Sequence, residues 1–386
     1  MSCAIRILEP ESLLGQLFQA QSWPTYQKCA LLSQNQGSLN SACWSVDWSE
    51  YAPQEREELF EKLIPLWVGF HTSGHTGLPQ LWFRQRQQLL AEILLLRRLC
   101  SEETVDGIIT FAPVHHIYGC LCSVLLPLFL GVPVWFHPIE HPAFITHTEL
   151  AHPLYIAIPA TLTYLEHELR TLETYQHITV VHSTALLSLR GNHLVEKLFP
   201  KLRLIELFGS TETGLVATRV QPTTKDGCWS LADDVTFASV PDDLAQEVPL
   251  EIESSRIAWN QEGNTFSTWK LDDLIYMVDQ RTFRFDGRRN HLVKVNGQRI
   301  HLGYIEEILR QVLHCQDLAC VIVPDMVRGE NFDVLVVPNE DTPLLGDVKR
   351  ICFEALAHQV HPRNVSIVQH IPRSATGKLL YQEERG

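Results

Sequence analysis

The stretch FHTSGHTGLPQ, residues 70–80, follows the apolar run Leu63–Val68. Glycines let a backbone approach a ligand closely, and backbone N–H groups together with hydroxyls can hold a phosphate. The same residue types also make an ordinary turn, so this loop by itself leaves both interpretations open. A Walker A motif is excluded, because no lysine follows Gly77 at the required position.

Segments with strand character alternate with helical segments after this loop. The predicted helical segments include Leu81–Leu99 and Cys120–Leu130. The predicted strands are Gly107–Phe111, Val132–Phe136, Pro153–Ile158, Thr179–Ser183 and Arg203–Leu207. This alternation predicts an α/β domain with a parallel sheet flanked by helices, whose ligands bind at the carboxyl ends of the strands.

The pattern of predicted secondary structure changes from about Trp229 onward. Short β-like segments predict a small β subdomain there, and beyond the polar segment Asp286–Asn290 a compact α+β unit of roughly a hundred residues follows. We therefore predict a large N-terminal domain at residues 1–287 and a smaller, mobile C-terminal domain at residues 288–386.

Composition excludes several classes of protein. The apolar and charged fractions are those of a globular protein, and a formal net charge of −14 argues against a nucleic-acid partner. The ten cysteines form no CxxC pair, and scattered thiols together with an N-terminus unlike a signal peptide predict a cytoplasmic protein. The apolar run Cys120–Phe136 is shorter than a bilayer span and is interrupted by prolines, so no membrane span is predicted.

The residues HPIEH, 137–141, fit the H-x-x-E-H pattern of a metalloprotease. That chemistry requires a helix that brings both imidazoles to one metal ion. Pro138 lies between the two histidines and Pro142 follows them, so a continuous helix is disfavoured and the metal site is not predicted.

Three further segments carry polar groups suited to nucleotide chemistry. LFGSTETG, 207–214, ends a predicted strand with an aromatic ring, hydroxyls and a carboxylate, although a strand-to-helix turn with Thr211 as its N-cap explains it equally well. Asp273 precedes a predicted strand and could accept ribose hydroxyls or be a solvated turn acid. IPRSATGKL, 371–379, places Lys378 on a glycine turn, where it could reach a phosphate or serve solubility alone.

The order of these segments resembles the adenylate-forming superfamily, which includes acyl- and aryl-CoA synthetases, nonribosomal adenylation domains and luciferases. The likeness extends from about Gly69 to Leu380, and GRRNHLVKVNGQRIHLGYIEEI, 287–308, is its most specific part. HIYG at 116–119, LPL at 126–128 and FGSTETG at 208–214 are similar to the small stand-alone ligases of aryl-polyene and xanthomonadin-type pathways. Those ligases load aromatic acids onto an acyl carrier protein or CoA.

This resemblance implies a set of ATP contacts. The positions that match them are Thr72, Ser73, Gly74, His75, Thr76, Gly77, Ser183, Thr184, Phe208, Gly209, Asp273 and Arg288. Residues 72–77 would grip the β- and γ-phosphates, Phe208 would stack on adenine, and Asp273 and Arg288 would contact the ribose.

The resemblance also implies catalytic, acyl and thiol sites. Lys378, Glu212 and Thr211 match the catalytic positions, with Glu212 as the Mg²⁺ ligand. His116, Tyr118 and Ala185 match the acyl pocket, and Lys294 and Gly297 match the tunnel for the acceptor thiol. The implied activity is ATP-dependent conversion of a carboxylic acid, aromatic by subfamily, to an acyl-adenylate, followed by transfer to CoA or an acyl carrier protein.

The chain departs from the family pattern at several positions. His75 replaces a serine or threonine, Gln80 replaces a lysine, Thr184 replaces a glycine and Asn290 replaces the acid usual at the hinge. Only about seventy residues precede the phosphate loop, so the first subdomain is predicted to be trimmed. These departures keep open a second hypothesis, a non-catalytic nucleotide- or acyl-binding relative that acts as a regulatory or scaffold subunit.

Overall fold

A computed structural model describes most of the chain. The described residues are 5–32, 38–72, 80–101, 104–138, 149–183, 187, 189–222, 227–241, 243–244, 246–288, 292–295, 298–325, 329–340, 342–356, 361–373 and 379. Of the H-x-x-E-H pattern, only residues 137 and 138 lie within these ranges.

The helices of the described residues are mostly short. They are α1 (Pro10–Leu17), α2 (Ser38–Ser41), α3 (Pro53–Leu63), α4 (Arg86–Cys100), α5 (Ile117–Gly119), α6 (Leu126–Leu130), α7 (Pro159–His167), α8 (Leu169–Leu172), α9 (Leu189–Leu198), α10 (Leu302–Val312) and α11 (Leu345–Ala355). A π-helical segment, Cys120–Leu125, joins α5 to α6. No helix in the described ranges has the length and apolar character needed to cross a membrane.

The first strands lie before and within the predicted α/β part of the chain. They are β1 (Arg6–Ile7), β2 (Cys29–Leu32), β3 (Trp44–Val46), β4 (Trp67–His71), β5 (Leu81–Gln85), β6 (Gly107–Thr110), β7 (Val134–Phe136), β8 (Pro153–Ala157), β9 (Ile178–His182), β10 (Leu202–Ser210) and β11 (Gly214–Gln221).

The remaining strands follow residue 228. They are β12 (Trp229–Leu231), β13 (Val235–Phe237), β14 (Val248–Ser254), β15 (Trp259–Asn260), β16 (Thr268–Met277), β17 (Thr282–Arg288), β18 (Leu292–Val295), β19 (Gln298–His301), β20 (Asp317–Asp325), β21 (Gly329–Val337) and β22 (Asn364–Ile367).

One thirteen-stranded sheet organises the larger part of the fold. Its strand order is β1-β3-β7-β6-β8-β9-β10-β11-β12-β17-β16-β14-β13. Strands β7, β6, β8, β9 and β10 are parallel, whereas β10, β11, β12, β17, β16, β14 and β13 pair antiparallel. The three central parallel strands, β6, β8 and β9, are buried along their whole length, as expected for a sheet covered by helices.

The chain after residue 301 has its own hydrophobic core. Strands β20, β21 and β22 form a separate three-stranded sheet. Its core cluster is built from α10, α11 and this sheet, and includes Ile305, Leu309, Phe332 and Val348. The large α/β part and the smaller α+β part therefore agree with the predicted fold class, while the boundary after Gly287 stays a prediction.

The sequence expectation for residues 81–99 was wrong. The segment predicted as one helix, Leu81–Leu99, begins as strand β5, which pairs with β4 and β15, and only then becomes α4. Over so short a run, the apolar and polar residues at 81–85 are compatible with both the helical and the strand periodicity. Pairing with β4 makes this segment a strand. Thr211 lies in a turn between antiparallel strands β10 and β11, so of the two interpretations left open for this segment the strand-to-helix turn is excluded.

We predict that Leu309→Ala lowers the free energy of unfolding by about 3 kcal/mol, because Leu309 on α10 is fully buried and its removal leaves a cavity. Chemical denaturation measures this change. The matched control is Val312→Ala on the same helix, where the exposed valine should contribute less than about 0.5 kcal/mol. Equal losses in the two variants would contradict the assigned face of α10.

Candidate functional site

A cavity lies beside the carboxyl ends of β9 and β10. Including the part open to solvent, its volume is about 720 Å³. The residues that line it are Glu92, Leu96, His116, Ile117, Tyr118, Leu121, Cys122, Ser183, Leu207, Phe208, Gly209, Ser210, Thr211, Gly214 and Leu215. The fold therefore brings together six residues singled out from the sequence: His116, Tyr118, Ser183, Phe208, Gly209 and Thr211.

Tyr118 joins the cavity to the parallel sheet. Its hydroxyl lies 3.0 Å from the carbonyl oxygen of Ala157 and 2.9 Å from that of Val181, so it donates to the ends of β8 and β9. Burial raises the pKa of Tyr118 well above the ordinary value for a tyrosine. The side chain therefore contributes a neutral aromatic wall, and its hydroxyl is used to hold the strands.

The segment Leu207–Gly214 forms the end of β10 and the turn into β11. The strand pairing shifts between Phe208 and Gly209, which marks a β-bulge at the cavity. A Cβ atom on Gly209 would lie 1.9 Å from the carbonyl oxygen of Gly214, so only glycine fits there. Phe208 packs edge-on against Phe285 and Trp229, with ring centroids 4.8 and 6.0 Å apart.

The turn itself presents Thr211 and Glu212. Both side chains are half-buried, and the backbone of Glu212 accepts a hydrogen bond from the N–H of Ala258 at 2.7 Å. Ser210 and Thr213 hydroxyls, 3.1 Å apart, close the turn beneath them. Thr211 therefore lines the cavity, and Glu212 follows it in the same half-buried turn.

The phosphate-loop candidate is described only at its ends. Thr72 and Gln80 are held together by two hydrogen bonds: the N–H of Thr72 donates to the Gln80 carbonyl at 2.8 Å, and the N–H of Gln80 donates to the Thr72 hydroxyl at 3.0 Å. The candidates Ser73, Gly74, His75, Thr76 and Gly77 lie outside the described residues. The loop that contains them therefore connects two antiparallel strands, β4 and β5.

Asp273 lies inside strand β16, which corrects the expectation that it precedes a strand. Its Cα is paired with that of Arg288 on β17, and its side chain is only 5% exposed, so it is not a solvated turn acid. The two candidates for ribose contacts are therefore neighbours across one pair of strands, although the side chain of Arg288 is outside the described part.

The other candidates also lie in part outside the described residues. Thr184, Ala185, Gly297 and Lys378 are not described. Lys294 is described only as backbone of β18, which forms a hairpin with β19.

Comparison with known proteins identifies the family. The family model described as AMP-binding enzyme matches residues 40–243, more than half of the chain, and the model of the AMP-binding enzyme C-terminal domain matches residues 304–378. The chain belongs to the AMP-binding enzyme family. The adenylate-forming resemblance seen in the motifs is thereby confirmed at the level of the superfamily.

Individual members of the family are distant in sequence. The mitochondrial acyl-coenzyme A synthetase ACSM2A of Homo sapiens is 23% identical over 347 residues, which cover 80% of this chain and 59% of that protein. The L-proline–[L-prolyl-carrier protein] ligase of Pseudomonas fluorescens is 25% identical over 334 residues, which cover 80% of this chain and 66% of the relative. The chain thus spans about three-fifths to two-thirds of the length of these two relatives.

A solved structure shows the same fold. The o-succinylbenzoate CoA synthetase of Bacillus subtilis, in complex with its acyl-adenylate intermediate, superposes with a TM-score of 0.65 at 17% identity. The superposition covers 83% of this chain and 69% of that structure.

This chain contains a buried charge cluster that was not predicted from the sequence. Arg84 on β5, Glu92 on α4 and Arg256 meet beneath the Thr211–Gly214 turn, with the Glu92 carboxylate 3.2 Å from Arg84 Nη1 and 3.3 Å from Arg256 Nη1. Glu92 stands in an apolar run of leucines and isoleucine, and that contrast was the available signal. No sequence signal indicated a role for Arg256, because this residue is far from α4 in the sequence.

A second missed group lies next to the IPRSATGKL segment. Arg373 makes a two-atom contact with the Asp317 carboxylate at 2.6 and 2.9 Å, and its backbone pairs with Leu379 in an isolated antiparallel bridge. Arg310 also contacts Asp317 at 3.1 Å. Arg373 and Leu379 flank residues 374–378, which include Lys378. The ion pair between Arg373 and Asp317 therefore connects the start of this segment to strand β20.

The donor set at the turn fits Mg²⁺ held together with a nucleotide. Among the described residues, no group of three or more His, Cys, Asp and Glu side chains could hold a metal ion alone. Mg²⁺ is commonly bound by one or two carboxylates plus substrate phosphates. Glu212, half-buried beside the Thr211 hydroxyl, is such a single carboxylate.

His182 lies at the end of β9, one residue before Ser183. Burial, together with the positive charge of Arg219, lowers the pKa of His182 to about 4, and neither ring nitrogen has a hydrogen-bond partner within the described part of the chain. The imidazole is therefore neutral in the folded protein at pH 7. Unfolding exposes it to water, where its pKa returns to about 6.5.

We predict that His182→Leu weakens the pH dependence of stability. Below pH 6.5 the unfolded chain binds a proton that the folded chain does not, so stability falls between pH 6.5 and pH 4. For His182 the loss by pH 5 is about 2 kcal/mol. Chemical denaturation gives the free energy of unfolding at pH 7 and at pH 5. The difference between these two values should be smaller in His182→Leu than in wild type by about 2 kcal/mol.

The matched control for this measurement is His370→Gln, which alters an exposed histidine. It should keep the pH dependence of the wild type, so the variant separates the loss of the buried His182 from the loss of a histidine in general. An unchanged pH dependence in His182→Leu would mean that burial does not lower the pKa of His182 in the folded protein.

Proposed function

We propose that the protein activates a carboxylic acid with ATP, forms an acyl-adenylate with release of pyrophosphate, and transfers the acyl group to a thiol with release of AMP. One observation carries this proposal: residues from separate motifs, among them His116, Ser183, Phe208 and Thr211, line a single cavity in a chain of the AMP-binding enzyme family. The relatives named above, an acyl-coenzyme A synthetase and a prolyl-carrier protein ligase, have activities of the same class.

The reaction requires two anions to meet. The carboxylate oxygen of the acid attacks the α-phosphorus of ATP, and pyrophosphate leaves with the electron pair of the broken P–O bond. Bound Mg²⁺, held by Glu212 and the phosphates, would supply charge neutralisation in this step. The hydroxyl of Thr211 donates to a phosphate oxygen, and the ammonium of Lys378 bridges the carboxylate and the α-phosphate.

The cavity wall favours an aromatic acid. Its lining includes four nearly fully buried apolar residues, Leu96, Leu121, Cys122 and Leu215, and Tyr118 adds a ring whose hydroxyl is already bonded. A flat apolar ring can be desolvated against such a surface at little cost. The similarity of the motifs to aryl-polyene-type ligases points to the same class of acid.

The acceptor thiol that we propose is the phosphopantetheine of an acyl carrier protein, with CoA as the second candidate. Nearly all of the net charge of −14 lies before residue 289, so an acidic carrier protein would be repelled by the larger part of the chain. Docking through residues 289–386 avoids that repulsion. The cytoplasm is the proposed compartment, since none of the described cysteines is in a disulfide.

A non-catalytic, nucleotide-binding relative is the alternative function. It is favoured by His75 and Gln80, which replace the hydroxyl residue and the lysine usual in the phosphate loop. Calorimetric titration with Mg·ATP separates the two functions when it is combined with a pyrophosphate assay on a panel of aromatic and fatty acids. Nucleotide binding without pyrophosphate release from any acid would support the alternative.

We predict that Lys378→Ala lowers acid-dependent pyrophosphate release about a hundredfold or more, because it removes a cation from the charge that develops at the α-phosphorus. Coupled detection of pyrophosphate with a saturating acid measures the rate. Lys349→Ala on α11 is the matched control and should retain the wild-type rate. An undiminished rate in Lys378→Ala would rule out the role given to this lysine.

A further inference from the structure

The charge cluster beneath the Thr211–Gly214 turn has a specific geometry. Two of its ionisable side chains are almost completely buried, since Glu92 is 3% exposed and Arg84 is 0% exposed. One carboxylate oxygen of Glu92 contacts both Arg84 and Arg256, and the other accepts the backbone N–H of Leu215 at 2.7 Å. Glu92 is therefore bonded to the first residues of β11 as well as to the two arginines.

Each arginine also contacts the turn. Arg84 donates to the carbonyl oxygen of Thr211 from Nη2 at 3.2 Å and from Nε at 3.4 Å. Arg256 donates to the carbonyl oxygen of Leu215 at 2.6 Å, and its other side is held by Asp234 at 2.6 and 2.8 Å. The two ends of the turn that presents Glu212 are thus bonded to one buried triad.

Gly214 shows how close this contact is. Its φ is +70°, and a Cβ atom there would lie 2.3 Å from Glu92 Oε2 and 2.9 Å from Nη1 of each arginine. The turn rests directly on the triad with no room for a methyl group. The backbone of the turn and the Glu92 carboxylate are therefore in close contact, and the position of each constrains the other.

The charges of the triad also act on the turn. Burial lowers the pKa of Arg84 to about 10, whereas the carboxylates of Glu92 and Glu212 oppose that change. Glu212 is consequently close enough to interact with the Arg84 charge. A buried ion pair is a poor source of net stability, because the cost of desolvation offsets most of the attraction.

We propose that Arg84 and Glu92 are positioning residues: they hold the Thr211–Gly214 turn in the position in which Thr211 and Glu212 bind Mg·ATP. This inference rests on the proposed function for its catalytic meaning. Glu92 also lines the cavity, but the Leu215 N–H and the two arginines already occupy its oxygens. It therefore acts through the turn and needs no contact with the substrates.

The test compares Glu92→Gln with a matched control on the same hairpin. Glu206 on β10 is equally buried and contacts Arg219 at 2.5 and 2.8 Å, but it lies away from the turn and does not line the cavity. Glu206→Gln therefore removes a similar buried charge without touching Thr211 or Leu215. Arg84→Lys, which keeps the charge and loses the two-atom contact with Thr211, is the second variant.

We expect Glu92→Gln to raise the Kd and KM for Mg·ATP about tenfold, the scale of one charge-assisted hydrogen bond, and to leave the KM for the acid unchanged. Arg84→Lys should give a smaller change of the same kind, and Glu206→Gln should change neither constant. Thermal unfolding of all three variants reports on stability separately. Calorimetry gives the Kd, and initial rates of pyrophosphate release give the KM values.

The outcomes are distinguishable. Equal Mg·ATP affinity in Glu92→Gln and wild type, or the same loss of affinity in Glu206→Gln, would overturn the positioning role. If wild type binds Mg·ATP but releases no pyrophosphate with any acid, the proposed function fails while the ratio of Kd values still decides this inference. Absence of Mg·ATP binding by wild type would overturn both.

Discussion

Strand β10 is the element on which the rest of the structure depends. It pairs parallel to β9 on one side and antiparallel to β11 on the other, so it joins the two halves of the thirteen-stranded sheet. Parallel strands put their carboxyl ends at a common edge, which is where helices and loops leave room for a ligand. The end of β10 lies at that edge, and the reversal into β11 places Phe208, Thr211 and Glu212 there.

This position explains why charge is buried beneath the site. A two-strand reversal that ends in a half-buried turn has few apolar contacts of its own, and Gly209 and Gly214 contribute no side chains to pack. Bonds from Arg84, Glu92 and Arg256 replace that missing packing with directional contacts to the backbone at both ends of the turn. Hydrogen bonds restrict position and angle more tightly than apolar contacts do, which suits the role that we propose for this turn in binding Mg²⁺ and a phosphate.

The sequence predicted the fold and the site unevenly, for reasons that particular residues illustrate. Cys120–Leu130 was expected to be a buried helix, and it is helical, but its π-helical part cannot be inferred from hydrophobic periodicity. Thr211 and Glu212 were found through the order of the motifs, whereas their place on a hairpin was not. Asp273 was expected at a turn, because a pair of acids beside an apolar run looks the same before a strand as within one.

The sequence by itself determined the superfamily, the α/β character of the larger part and the candidates for nucleotide contacts, because glycines, hydroxyls and charged groups in a fixed order are local properties of the chain. Only the tertiary structure decided that His116, Ser183 and Phe208 share one cavity and that Glu92 lies between Arg84 and Arg256. Those contacts join residues up to 164 positions apart, from Glu92 to Arg256, and such pairings depend on strand order and register, which no local pattern encodes.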